Sequence, residues 1–217
     1  MTDILWREIG YGVIETLQMT LISALLAYLA GMPLGILLVV TDKGHILENR
    51  IINGVFGIII NIFRSVPFLI LLVFLIPFTR LVTGTSIGTT ATIVPLTIGT
   101  IPIVARMVES SLKEIPSGII EAAQSMGASP VEIIFRFMLP EAVPSLILGG
   151  AINLATVLGY SAMAGCIGGG GLGAIALNYG YYRYQSDVLL ITVAILVIIV
   201  QIFQEMGTRI SIKKRHS

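Results

Sequence analysis

Five long apolar runs follow one another along the chain, and the short stretches between them hold most of the charge. They extend from about Leu17 to Val40, Ile51 to Ile76, Thr89 to Leu112, Leu146 to Ala164 and Val188 to Phe203. Crossing the hydrocarbon of a bilayer takes roughly 20 predominantly apolar residues in helical form. The pattern therefore predicts an all-α membrane protein: one domain over 1–217 with about five transmembrane helices. One such run alone fits a buried helix of a soluble protein. Five in succession, with so little charge between them, argue against that reading.

Lys and Arg placement orients the spans. With the N-terminus outside, the inner segments hold Lys43, Arg50, Lys113, Arg136, Arg209, Lys213, Lys214 and Arg215, whereas the outer ones hold Arg7, Arg80 and Arg183. The excess of basic residues inside predicts N-out and C-in, and an odd number of spans agrees.

The inner segment 113–145 is full of helix punctuation. Pro116 and Ser117 start a short helix through Ile119–Met126, and Gly127 can close it in the left-handed conformation. Ser129, Pro130 and Glu132 then read as a capping box with proline at the first helical position. Pro140 and Pro144 lead back to the membrane. These helices are too short to span, so the segment is expected as a helix–turn–helix outside lipid. The outer loop 165–186 combines Gly165, Gly168, Gly169, Gly170, Gly171 and Gly173 with Tyr179, Tyr181, Tyr182 and Tyr184. The glycines suit close backbone approach or a re-entrant turn, and the tyrosines suit an interfacial belt.

Composition sharpens the exclusions. Charged residues make up 12% of the chain and hydrophobic ones 55%, and the net charge is +1. That balance offers no bulk attraction for nucleic acid. Cys166 is alone, and His45 and His216 lie far from it in sequence, so no metal-ligand spacing exists. Asp3, Arg7, Glu8 and Glu15 near the start argue against a cleaved secretory signal. Gly168, Gly170 and Gly173 match a dinucleotide fingerprint only in spacing, since the required strand and acidic residue are missing. No Gly-Lys-Ser/Thr phosphate loop is present, so any ATPase belongs to another chain. Ser161 lacks both a nucleophile elbow and a buried base. The chain is not expected to be an enzyme.

Arg64 is the costliest residue in the apolar runs, at about 2.5–3.5 kcal/mol or more mid-membrane. Asn61, Arg64 and Ser65 share one helix face, and Pro67 is placed to kink that helix. Either the stripe of Asn61, Arg64 and Ser65 faces a water-filled path, which makes the three candidate pore residues, or Arg64 bonds a neighbouring helix. Arg106 and Glu109 are spaced as an ion pair. Tyr160, Ser161 and Met163, near the outer end of the fourth span, are candidates for a gate, Met163 because a flexible apolar side chain seals and repacks. Packing is the alternative for each.

The residues Glu121-Ala122-Ala123, Gly127, Ala128, Ile134 and Leu139-Pro140, in EAAQSMGASPVEIIFRFMLP, resemble the EAA signature of ABC importer permeases. NIFRSVPFLILLVFLIPFTR from Asn61, GTSIG from Gly84, IVPLTIG from Ile93, ARMVE from Ala105 and GYSAM from Gly159 resemble methionine ABC importer permeases over most of 51–187. The resemblance implies a type I importer fold in a bacterial inner membrane and a homodimeric pore for D- or L-methionine or related small amino acids. It implies two separate ATPase subunits, an extracytoplasmic binding protein, and no cofactor on this chain, ATP and Mg being held by the ATPase. It makes Glu121, Ala122, Ala123, Gly127, Ala128, Leu139 and Pro140 the coupling region. The alternatives are an ABC permease for another small amino acid or solute, or an ion-coupled secondary transporter or channel. Against the last, no Asp or Glu lies mid-span and no internal repeat is evident.

Overall fold

The computed structural model describes residues 3–215; His216, part of the metal-ligand argument, lies outside them. Every regular element among the described residues is helical: α1 (Asp3–Val40), α2 (Arg50–Ser65), α3 (Phe68–Phe74), α4 (Ile76–Thr83), α5 (Thr89–Lys113) and α6 (Ser117–Ser125). A long rod, α7 (Pro130–Ile167), follows, and then α8 (Gly171–Ile175), which continues as a π-helical stretch Ala176–Tyr181. The last helix is α9 (Ser186–Arg215). Helices α1, α5, α7 and α9 are long and apolar enough to cross a membrane.

α1 and α5 form the central pair. Ala24, Ala27, Gly31 and Gly35 recur on α1 at three- and four-residue spacing, which is one helix face. A Cβ on Gly31 would stand 2.8 Å from Val104 Cβ, and one on Gly35 2.6 Å from the Ala105 carbonyl oxygen. Opposite them Val104, Ala105 and Val108 are fully buried. In lipid, helices gain no hydrophobic drive from meeting one another, so close van der Waals contact through small residues is what binds them. α7 packs on both helices, α9 lies along α7, and the outward side of α9 carries exposed Leu190, Val193, Val197, Ile198 and Ile202.

The expected second span, 51–76, is not one rod. The chain turns through 100° between α2 and α3. Pro67 supplies the reason: it lacks an N–H and pushes the residue before it out of the helical region. Val66 is extended at φ −80°, ψ 124°. Arg64 thus sits in the last turn of α2 beside the corner, not in the middle of a straight span. The expected third span coincides with α5 to within one residue, the first is extended only at its start, to Asp3, and the fourth and fifth lie inside longer helices that run on into polar turns.

Gly35→Ala puts one methyl into the α1–α5 contact and should destabilise the protein by about 1–3 kcal/mol. Gly54→Ala on α2, where nothing lies within 4 Å of the added Cβ, should be neutral or stabilising. Melting of the two purified variants in detergent checks the contrast.

Candidate functional site

The helix–turn–helix outside lipid is built as its punctuation demands. α6 ends at Ser125 with Met126 as its C-cap, and Gly127 takes φ +79°. The Gly127 N–H donates to the Gln124 carbonyl at 2.9 Å and the Ala128 N–H to the Ala123 carbonyl at 3.1 Å, which is the Schellman pair. Ser129 caps the next helix, and Glu132 reaches back to the Ser129 N–H at 3.0 Å, closing the capping box. Ala123 is fully buried against a core that includes Ile115, Ile133 and Met138. Glu121, Ala122, Gln124 and Met126 are exposed, as are Val131 and Phe135 across the turn. Of the expected coupling residues, Glu121, Ala122, Gly127 and Pro140 face outward, Ala128 and Leu139 are half-buried, and Ala123 holds the helix down. A π-helical turn at Ile133–Met138 interrupts α7 just before Leu139. No pattern in the sequence marks it.

A chain of charges runs from this inner end toward the helix corner. Asp42, in the turn after α1, meets the Lys113 ammonium at 2.7 Å; Lys113 also meets Glu109 at 3.0 Å. Glu109 pairs with Arg106, which donates to the Gly57 carbonyl at 3.1 Å and to Asn61 Oδ1 at 2.8 Å on α2. The expected Arg106–Glu109 pair is present, and Asn61 joins it. The ammonium of Lys113, donating to Asp42, holds that carboxyl below the usual carboxylate range, helped by the Lys43 N–H. Burial pushes the neighbouring His45 imidazole down, against the opposing pull of Asp42.

At the corner, a pocket of about 210 Å³ is lined by Arg64, Phe68, Leu71, Gly99, Ile103 and Tyr160, among others. Phe68 and Tyr160 stack with centroids 4.1 Å apart. Arg64 is exposed, and among the described residues it forms no hydrogen bond or ion pair, so it does not tie α2 to a neighbouring helix. The pocket brings together Arg64 and Tyr160, which lie far apart in sequence, and pairs a free guanidinium with an aromatic and aliphatic wall. Ser65 donates to the Asn61 carbonyl at 2.8 Å. Ser161 is buried with its Oγ on the Leu158 carbonyl at 2.7 Å; it faces the bundle rather than an opening. Met163 is 48% exposed, on a stripe with Leu148, Ile152, Gly159 and Cys166 that no other element of the chain covers.

The glycine-rich outer segment is packed, not loose. A Cβ on Gly173 would stand 2.2 Å from the Ala162 carbonyl oxygen, and one on Gly165 2.4 Å from the Ala174 nitrogen. The segment folds back along α7 and seats on the outer half of α1. There Glu15 accepts from the Gly171 N–H at 2.7 Å and Thr16 from the Leu172 N–H at 2.9 Å. The sequence presents Glu15 only as a charge near the chain start and gives Thr16 no role. The signal was present: Leu5, Ile9, Gly12, Thr16 and Met19 form a continuous face on α1.

Residues 31–207 match the family described as binding-protein-dependent transport system inner membrane component. The chain is 51% identical over 193 residues to the probable D-methionine transport system permease protein MetI of Vibrio cholerae, covering 89% of this chain and 86% of that one. Its identity to the protein of the same description from Pasteurella multocida is 49% over 216 residues, covering 100% of both. A chain of a structure described as an inward-facing conformation of the MetNI methionine ABC transporter superposes with a TM-score of 0.97 at 47% identity, covering 99% of each chain.

The inner turn should be acid-sensitive. His45 has a folded value below its unfolded one, so its neutral form is favoured by folding and stability is lost as pH falls below about 6.5. Asp42 also has a depressed value; its contribution is present above the unfolded carboxylate value and is lost as pH falls further. Both groups are partly exposed, so the Asp42–Lys113 pair is worth about 0.2–1 kcal/mol at most. Melting measured across this pH range should fall less steeply for His45→Gln between neutrality and pH about 5.5. Asp42→Asn should cost stability at neutral pH and nothing at the acid end.

Proposed function

The chain belongs to the binding-protein-dependent transport system inner membrane components, a family of multi-pass permease subunits of ABC importers, and from that premise we propose that its cargo is methionine, D or L, or a related small amino acid. The observation that carries the choice of cargo is the likeness, over the whole chain, to a relative described as a D-methionine permease. The Arg64 pocket agrees with it in chemistry. A guanidinium recognises a carboxylate, and the stacked Phe68–Tyr160 pair with Leu71 and Ile103 suits an apolar thioether side chain, since sulfur sits favourably against aromatic rings.

In this reading two copies of the chain meet across the uncovered stripe of α7, with a solute path between them. Met163, near the outer end, closes the path at rest, and the partner copy supplies the second methionine. Two separate ATPase subunits, which hold ATP and Mg, dock on α6 and on the exposed Val131 and Phe135. An external binding protein delivers the amino acid. The coupling follows from packing. α6 rests through Ala123 on a core shared by α1, α5 and the start of α7, so displacing α6 moves the inner ends of those helices together. Arg106 carries the movement to α2 and the corner at Arg64. Tyr160 and Arg64 contact cargo, while Ser161 serves packing.

Three experiments test the reading. Gly127→Val forces a β-branched residue to φ +79°, where it is strained, and should reduce copurification of the ATPase and uptake together; Glu121→Ala should lower coupling with milder effect. Normal assembly and uptake in both would remove α6 as the docking element. In liposomes, Met163→Gly should raise passive leak of small solutes without lowering the melting temperature. A destabilised but tight variant would assign Met163 to packing. Arg64→Leu should assemble yet lose methionine uptake by about tenfold or more, the loss of one charge-assisted hydrogen bond; unimpaired uptake would clear Arg64 of contact with cargo.

A further inference from the structure

The segment that follows Met163 is held from outside itself. After Ala164 the chain makes a tight turn through Gly165–Ile167; Gly168 and Gly170 take positive φ before α8 begins, and Gly171, its first residue, does so too. The first N–H groups of a helix have no partner within it. Ordinarily a Ser, Thr, Asp or Asn at the preceding position accepts from them. Here that position is Gly170, which has no side chain to offer. The partners come from α1 instead: the Glu15 carboxylate takes the Gly171 N–H at 2.7 Å and the Thr16 hydroxyl takes the Leu172 N–H at 2.9 Å.

The fit leaves no slack. A Cβ on Gly171 would lie 2.6 Å from Thr16 Oγ1, and one on Gly12 2.5 Å from Ile175 Cδ1. Met19 and Leu172 are fully buried on either side of the contact. A carboxylate at a helix start is favoured by the aligned peptide dipoles, and the charge-assisted hydrogen bond of the half-buried Glu15 is stronger than a neutral one. Among the described residues, Glu15 is the one acidic side chain that bonds the backbone between Met163 and Ile175. Its hydrogen bond spans 156 positions of sequence and ties α1 to the backbone eight residues beyond Met163.

We propose that Glu15 is a positioning residue for the outer constriction. By capping the returning segment it keeps that segment seated on α1, and so keeps the end of α7, with Met163, in the closed arrangement. The inference rests on the reading of Met163 as the constriction. Thr16 is the auxiliary cap. Movement of the outer half of α1 is then felt at the constriction through two backbone N–H groups, with no direct contact between α1 and Met163 required.

The chain carries its own reporter. Cys166 is its only cysteine, is exposed on the single chain, and lies between Met163 and the capped turn on the stripe that the second copy covers in the reading above, so its labelling in the complex rises as the segment is released. The test uses the complete complex in liposomes without ATP, for Glu15→Ala, Glu15→Gln, Thr16→Val and Thr16→Ser, with Met163→Gly alongside. Maleimide labelling of Cys166, quantified on this chain by mass, reports release of the segment; efflux of a small trapped solute reports the constriction. Glu15→Ala should raise the labelling rate about tenfold, as expected for losing one charge-assisted hydrogen bond, and should raise leak. Glu15→Gln, which keeps a neutral acceptor, should fall between. Thr16→Val should show a smaller rise that Thr16→Ser reverses, a rescue that general loosening would not give. Unchanged labelling in Glu15→Ala overturns the proposal. So does raised labelling without leak while Met163→Gly leaks, because the cap would then not act on the constriction. If labelling rises but neither Glu15→Ala nor Met163→Gly leaks, the reading of Met163 has failed and the proposal falls with it, by a signature distinct from the first.

Discussion

Where Gly31 and Gly35 let α1 approach α5 to within a side chain's thickness, the two helices become a single strut, and the other elements are fastened to it. The requirement comes from the solvent. In lipid, apolar side chains gain nothing by leaving their surroundings, so helices associate where their surfaces fit closely enough for dispersion contacts to accumulate. The inner end of the strut carries the core on which α6 rests. Its outer end carries the seat of the returning segment. α9, by contrast, touches the bundle along one side and leaves a broad apolar flank exposed, as a helix facing acyl chains should.

The second fastening is electrostatic. α2 buries only Ile60; Asn53 ties its first half to the Leu38 carbonyl of α1 at 2.6 Å, and Arg106 ties its second half to α5 through the Gly57 carbonyl and the Asn61 amide. Arg106 is in turn held by Glu109, and Glu109 by Lys113. Ion pairs at the exposed end of such a chain contribute little. At the half-buried end each charge needs its partner, since leaving one unpaired costs far more than the pair contributes. The corner that presents Arg64 is therefore positioned by one arginine, one carboxylate and the extended Val66–Pro67 junction.

Much of this was legible in the chain. Apolar length located every long helix, Gly127 and the Ser129–Glu132 box placed the inner turn to the residue, and Pro67 announced the corner. What remained hidden shares one cause: it depends on partners distant in sequence. The glycines at 165–173 read equally as a flexible or a tightly packed loop until α1 and α7 were seen against them. Glu15 read as a charge near the chain start, because its partner is the Gly171 N–H. Asn61 and Ser161 read as candidates to line a path, without a sign of their partners: Asn61 accepts from Arg106, and Ser161 donates to the carbonyl three residues back. Polar residues in apolar helices announce a demand for hydrogen bonds and say nothing about who meets it.

The π-helical turn at Ile133–Met138 bears on how such a chain can change over generations. A π-turn accommodates one extra residue in a helix without breaking it, and one residue is worth roughly 100° of rotation. The cytoplasmic and membrane parts of α7 are thus set at independent azimuths on one continuous axis. The exposed Val131 on one side of the turn and Met163 on the other therefore owe their relative bearing to this single inserted residue. A deletion within the turn would swing every side chain of the membrane part to a new heading, so the turn acts as a phase joint between the two ends of α7.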